Sequence, residues 1–357
     1  MLPHANRLPA GKNVIFTKIA LMKKIFVYVP INGVIEAITP AVRIFQTAND
    51  FLAANGLPPK FKVELTGLKK TITLSEGPYT ITVDRLLKDV SEADLFIVPA
   101  LLHPSMATAV EANSAAFPQL TALHAKGTEM ASLCLGAFLL AATGVLDGKK
   151  CSTHWAYYNE FMQLYPQVTI ASGSVITDEA GVYSSGGANS IWNLLLYLVE
   201  KYTNREMAIL LAKFFAIDID RNSQNAFSIF KGQKDHPDED IIKAQDFIEK
   251  NISERIAIDQ LASMIAVSRR SFERRFKQAT NNTVLEYIQR VRIEAAKRKF
   301  ESRRLNINEV MYDVGYTDTK AFRDVFKKVT GLTPIEYRNK YYKPNLDISF
   351  TPGYGLS

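Results

Sequence analysis

Three residues in the first half of the chain, and a basic stretch in the second, are of types that can do chemistry. Cys134 lies in EMASLCLGAF (129–138), an apolar run that breaks at Cys-Leu-Gly and resumes with helical spacing. A cysteine at a strand-to-helix bend is lifted above the sheet edge with its sulfur near a helix N-terminus, which favours thiolate. His154 follows twenty residues later, after a short strand pattern at 149–152. Glu36 follows the first apolar run, four residues before Pro40. A buried structural thiol is the other reading of the same cysteine.

The second chemistry is charge. Residues 255–343 hold 20 Lys and Arg against 10 Asp and Glu, and the remainder holds 23 against 26. The net +7 therefore hides a basic end of +10 on a body of −3. Such asymmetry suits either a nucleic-acid-binding module or a set of solvated helix faces.

The basic end also contains a repeat. Residues 268–287 align without gaps on 318–337 at an offset of 50, with seven identities. They are Phe272/Phe322, Phe276/Phe326, Lys277/Lys327, Thr280/Thr330, Thr283/Thr333, Glu286/Glu336 and Tyr287/Tyr337. A short apolar-spaced helix precedes each copy (Ile258, Leu261, Ile265; Ile307, Val310, Val314), and Ser268 and Asp318 stand where N-caps belong. A helix, a tight turn and a capped second helix make a helix-turn-helix, here twice.

With Phe272 and Phe276 facing the core, the opposite face carries Arg269, Arg270, Glu273, Arg274 and Lys277. In the second copy it carries Thr319, Lys320, Arg323, Asp324 and Lys327. Arg reads guanine bidentately and Glu accepts from cytosine; the same residue types also serve as solvated surface. Residues 284–300 read as a long amphipathic helix with Leu285, Ile288, Val291, Ile293 and Ala296 as its apolar positions. It would hold the two second helices in adjacent major grooves, about 34 Å apart. Lys297, Arg298, Lys299, Arg303 and Arg304 are better suited to phosphates than to bases.

The elements that must position these groups follow from periodicity. Strand patterns at 25–29, 61–65, 94–99 and 129–133 alternate with helical patterns at 40–54 and 105–125, which implies a parallel sheet covered on both faces. Hairpins are expected around Glu76-Gly77-Pro78 and around Asp178-Glu179, and helices at 190–201 and 205–215. Beyond a polar stretch with Gly and Pro, only helical patterns recur. The expected organisation is an extension without fold (1–22), an α/β domain (23–217), a linker (218–238), an all-helical domain (239–342) and a tail (343–357).

Of the 357 residues 47% are hydrophobic, and no apolar run approaches the ~20 residues of a membrane span. No signal peptide is expected, and two cysteines point to a reducing, cytoplasmic setting. Five histidines and two cysteines show no metal-ligand spacing, so neither metal nor cofactor is expected.

The motifs IDQLASMIAVSRRSFERRFKQAT and VGYTDTKAFRDVFKKVTGLTPIEYR resemble the DNA-binding domain of the AraC/XylS family. The resemblance implies base reading by Arg270, Glu273 and Arg274 in the first copy and by Thr319, Lys320 and Arg323 in the second. Phosphate contacts are expected from Arg269, Lys277, Lys297, Arg298, Lys299, Arg303, Arg304 and Lys327. Tyr312 departs from the small residue usual at its position.

Residues 23–217 resemble the class I glutamine-amidotransferase-like or PfpI-type domain, which is flavodoxin-like. The matching residues are Glu36-x-x-x-Pro40, the VPA after the fourth strand, SLCLGAFLLAATGVLDGKKCSTHW and YSSGGANSIWNLLLYLVE. By this resemblance Cys134 occupies the nucleophile elbow, Glu36 hydrogen-bonds its thiol and His154 is a pocket histidine. Three departures weigh against catalysis: Pro99-Ala100-Leu101 where related enzymes have glycines, Leu135 where the peptidases have histidine, and Asn193 where fused regulators have aspartate. Glu36, Ala100, Leu101, His103, Cys134, Leu135 and His154 are then a ligand pocket rather than an active site, placed at the carboxyl ends of the strands.

The expected function is a one-component transcriptional regulator: promoter DNA bound by the second domain, and a small-molecule effector or a homodimer contact served by the first. Contact with RNA polymerase stays open. The alternatives are a cysteine-dependent hydrolase or amidase, and a redox sensor working through Cys134.

Overall fold

The structure, a computed structural model, describes residues 22–74, 79–219, 223–230, 232–234, 236–302 and 305–342. The expected tail, all but the last residue of the expected extension, the 76–78 hairpin tip, Arg303 and Arg304 lie outside them.

The apolar runs of the first half form one seven-stranded sheet. Its strands are β1 (Lys23–Tyr28), β2 (Phe61–Gly67), β3 (Arg85–Leu86), β4 (Leu95–Val98), β5 (Glu129–Ser132), β6 (Ile176–Glu179) and β7 (Val182–Ser185). Their order is β6-β7-β5-β4-β1-β2-β3. Every pairing is parallel except that of β6 with β7. Ile25, Val27, Leu95, Phe96, Ile97 and Val98 are fully buried, because helices cover both faces of such a sheet.

Three expectations shift in detail. Helix α1 (Ile35–Ala54) starts five residues before the expected 40 and carries Pro40 inside it, giving up one backbone hydrogen bond to bury Ala37 and Ile38. The helix expected at 105–125 is two, Met106–Glu111 and Phe117–Ala125. The break falls at buried Asn113, whose side-chain oxygen accepts from the Tyr28 hydroxyl at 3.0 Å and the Ile31 N–H at 2.9 Å. The late hairpin turns at Ala180-Gly181, both at positive φ, rather than at Asp178-Glu179, which belong to β6.

β5 runs into helix α2 (Gly136–Ala142) through Leu133, Cys134 and Leu135. Only glycine fits at 136: a Cβ there would lie 2.1 Å from the Val98 carbonyl oxygen and 2.7 Å from that of Pro99.

The second half is helical: α3 (Glu239–Lys250), α4 (Ile258–Met264), α5 (Arg269–Thr280), α6 (Val284–Ser302), α7 (Ile307–Asp313), α8 (Thr319–Thr330) and α9 (Pro334–Tyr341). Two cores hold it. Ile241, Ile248, Leu261, Phe272, Phe276 and Tyr287 build one; Val310, Phe322, Phe326 and Tyr337 the other. α6 serves both, giving Tyr287 and Ile288 to the first and Ile293, Ala296 and Phe300 to the second. Leu285, expected in the apolar stripe, is 60% exposed, because it stands about 100° around the helix from buried Val284. Tyr312 is equally exposed, so that departure disturbs no packing.

Between the halves, residues 223–230 are pinned on both sides. Buried Gln224 accepts from the Gly187 N–H at 2.9 Å and donates to the carbonyls of Thr153 and Ser174 at 3.1 and 3.0 Å. Further along, Lys297 donates to the Ser228 carbonyl at 2.5 Å and the Phe230 N–H donates to Glu294 at 3.2 Å.

Candidate nucleic-acid interface and cysteine elbow

The two helix-turn-helix units match atom for atom where they match in sequence. Ser268 caps α5 by accepting from the Ser271 N–H, and Asp318 caps α8 by accepting from the Ala321 N–H. Each helix ends in a left-handed residue, Asn281 and Gly331. Thr280 and Thr330 each donate a hydroxyl to the phenylalanine carbonyl one turn back, at 2.7 and 2.8 Å, and accept from the N–H two residues on. Glu286 and Glu336 each accept from the threonine N–H three residues before. Tyr287 and Tyr337 stack edge-on against Phe276 and Phe326 at 5.2 and 5.5 Å.

This packing fixes which face looks outward. Arg270 and Arg274 on α5, and Lys320 and Arg323 on α8, are exposed, and no ion pair holds any of them among the described residues. Glu273 is half-buried and accepts from Arg269 at 3.2 Å; Thr319 is half-buried at the start of α8. Of the expected phosphate contacts, Lys277 and Lys327 lie exposed in the last turns, and Arg298 is exposed on α6. Arg269 is shared between Asp259 and Glu273, and Lys299 pairs with Asp313 at 2.6 Å.

Lys297 departs from expectation. It is 4% exposed, pairs with Glu294 at 2.8 Å and lies over the Tyr337 ring, so it is a core cation and not a phosphate contact. Arg275, not among the expected contacts, turns away from the outward face to bind Asp238 and Asp240 at 2.7 and 3.2 Å. It fastens α5 to the start of α3 and holds both carboxyls below the usual carboxylate range. The i,i+5 position of Arg275 relative to Arg270 was the available signal: it falls off the outward stripe.

At the other site, Cys134 has the geometry of an elbow. Its φ is +54°, its N–H donates to Ser185 Oγ at 3.2 Å, and its carbonyl accepts from the Thr153 hydroxyl at 3.0 Å. The last contact brings the stretch before His154 beside the bend. The thiolate expectation fails. Burial pushes the thiol up to about 12, only partly offset by the Leu135 N–H. Cys151 is pushed up to about 12 by the same cause.

The partner expected for that thiol is not in place. Glu36 lies exposed in the first turn of α1, with no hydrogen bond to Cys134. His154 uses Nδ1 to accept from the Ala156 N–H at 3.2 Å, and burial lowers its pKa. His103 accepts from the Ser105 N–H at 3.1 Å in the same manner. Ala100 and Leu101 are buried: the Ala100 carbonyl accepts from Val34 N–H at 3.0 Å, and Leu101 bridges Gly33. Leu135 is buried as the residue that opens α2. Asn193 has a plain structural use, donating to the Asp218 carbonyl at 2.7 Å.

Among the described residues no group of three or more His, Cys, Asp or Glu is placed to hold a metal, and no helix is long and apolar enough to cross a membrane.

Comparison with known proteins matches both halves. A helix-turn-helix domain family matches residues 261–340, and the DJ-1/PfpI family matches residues 34–201. The HTH-type transcriptional regulator GbdR of Pseudomonas aeruginosa is 26% identical over 223 residues, 61% of this chain and 60% of that protein. The match thus spans about 60% of GbdR's length. The HTH-type transcriptional regulator ArgR of the same organism is 25% identical over 264 residues, 72% of this chain and 77% of that protein. A solved putative transcriptional regulator from Vibrio parahaemolyticus aligns at 19% identity with a TM-score of 0.48, covering 54% of this chain and 98% of its own. The chain thus resembles the DJ-1/PfpI family over residues 34–201 and a helix-turn-helix domain family over residues 261–340, and relatives that match it are HTH-type transcriptional regulators.

Proposed function

We propose that this protein is a sequence-specific DNA-binding transcriptional regulator acting in the cytoplasm as a dimer. The observation that carries the reading is the pair of helices capped at equivalent positions whose outward faces present unpaired cations, Arg270 and Arg274 on α5 and Lys320 and Arg323 on α8. Arg270, Glu273 and Arg274 read bases in one major groove, and Thr319, Lys320 and Arg323 in the next. Arg269, Lys277, Arg298, Lys299 and Lys327 contact phosphates, a role that extends to Arg303 and Arg304. The first domain senses an effector or carries the dimer contact, and paired binding sites raise affinity through effective concentration.

The buried, high-pKa thiol supports neither a hydrolase nor a redox sensor, because both need an accessible thiolate.

The test is duplex preference measured by fluorescence anisotropy. Arg274→Ala and Arg323→Ala each relax preference at one base position, by about 1–3 kcal/mol. Lys327→Ala weakens all sequences alike and lowers the salt dependence by about one counterion. An unchanged preference in Arg274→Ala would show that the reading face is elsewhere.

A further inference from the structure

Cys134 and Leu135 at the elbow are buried, and away from them the two domains enclose a cleft of about 580 Å³, within the size range of small-molecule sites. Trp155, Tyr158 and Met162 line it from the α/β domain; Phe230, Arg290 and Lys328 line it from the connecting segment and the helical domain.

Two groups there hold donors that the protein does not use. The Arg290 guanidinium lies over the Phe230 ring at 5.8 Å. No carboxylate lies within ion-pair distance of it among the described residues; Glu286, one turn back on α6, acts on it only through space, and burial outweighs that attraction and lowers its pKa. A half-buried arginine whose guanidinium donors meet no carboxylate directly is under-compensated and gains from a bound anion. On the facing wall, the Tyr158 oxygen accepts from the Gly173 N–H at 3.2 Å and lies 2.8 Å from Gln224 Nε2, where it competes with the Thr153 and Ser174 carbonyls for that amide's two protons. Neither nitrogen can accept, so the phenolic proton remains to be donated.

The neighbouring charges are otherwise satisfied. Glu294 and Lys297 pair with each other; Glu286 is hydrogen-bonded by the Thr283 N–H and hydroxyl, and its charge is shared through space between Arg290 and Lys328. With Lys234, Arg290, Lys297 and Lys328 set against Glu286 and Glu294, the lining of the cleft keeps a positive excess.

We infer that this cleft binds a small organic carboxylate, its carboxylate taken by the Arg290 guanidinium and the Tyr158 hydroxyl, its apolar body lying against Trp155, Met162 and Phe230. Such a ligand touches both domains at once and so favours one arrangement of them over others. That regulatory consequence rests on the DNA-binding reading; the binding itself does not.

Trp155 is one of only two tryptophans, so its emission reports on the cleft once Trp192→Phe removes the other. The full-length Trp192→Phe protein is titrated with phenylacetate, and with phenylacetamide as the uncharged counterpart. Phenylacetate gives a saturable change, and phenylacetamide binds at least about tenfold more weakly, as does phenylacetate to Arg290→Gln. Tyr158→Phe keeps the ring and weakens binding several-fold, which preserves the test should Arg290→Gln not fold. No saturable change with phenylacetate, equal binding of the amide, or unaltered binding by a folded Arg290→Gln or Tyr158→Phe protein would overturn the assignment. DNA binding is measured on the same samples. Its loss alongside intact phenylacetate binding would overturn the function reading and leave the cleft assignment standing.

Discussion

At the scale of single residues, environment decides what each group can do. Cys134 has the strained backbone of an elbow nucleophile and yet a thiol held protonated by burial. At pH 8 its reaction with a disulfide reagent in the native protein is expected to be at least about a hundredfold slower than in denaturant, where the thiol regains a pKa of about 8.5. A native rate near that of a free thiol would contradict the burial account. The same shift has a stability consequence. Cys134 and Cys151 both have folded pKa values above their unfolded values, so their contribution to stability is complete below about pH 8.5. It is lost as pH rises through the window up to about 12. Thermal midpoints measured across pH 8–10 should fall, and a flat profile would refute the claim. The elbow was legible in the sequence because Cys-x-Gly after an apolar strand allows little else. The missing Glu36 contact was not: the spacing to Pro40 places the residue on α1 without saying which way its carboxylate points.

At the scale of elements, the repeat was the most legible feature, because a fold used twice imposes the same caps and the same aromatic pair at the same offset. What the pattern did not reveal is which cations the helices keep for themselves. Lys297 follows Glu294 by three residues on α6, an ordinary surface spacing, and only the approach of residues 228–230 and of Tyr337 turns it into a core pair. Lys297→Met therefore leaves the Glu294 carboxylate, itself 8% exposed, with only the Phe230 N–H and a 4.0 Å approach of Arg298, and is expected to lower unfolding free energy by about 3 kcal/mol in urea titrations. DNA affinity of the remaining folded protein should be unchanged. A stable Lys297→Met protein with weakened DNA binding would return the residue to the phosphate-contact set. The broken helix at 112–116 escaped the sequence for a similar reason: Asn113 satisfies polar groups on β1 and the loop after it, contacts that local periodicity does not encode.

At the scale of the whole molecule, the two halves were separable by charge and periodicity alone, but their junction was not. The polar stretch after residue 218 reads as a loose linker, yet Gln224 is buried against the first domain and residues 228–230 are bonded to α6. The Tyr341 hydroxyl donates to the Ala226 carbonyl at 3.1 Å, so the last described helix also reaches this segment. Such a junction ties the cleft beside Phe230 to α6, the helix that packs into both helical cores, so on the proposed reading a ligand bound in the cleft also acts on the placement of α5 and α8. α6 sets the separation of α5 and α8, and that separation is the geometric core of the account. The most direct test is selection of bound duplexes from a random pool by the full-length protein. The account predicts a motif with two reading blocks about one helical turn apart. Recovery of salt-sensitive binding with no motif, or of a single block, would contradict it.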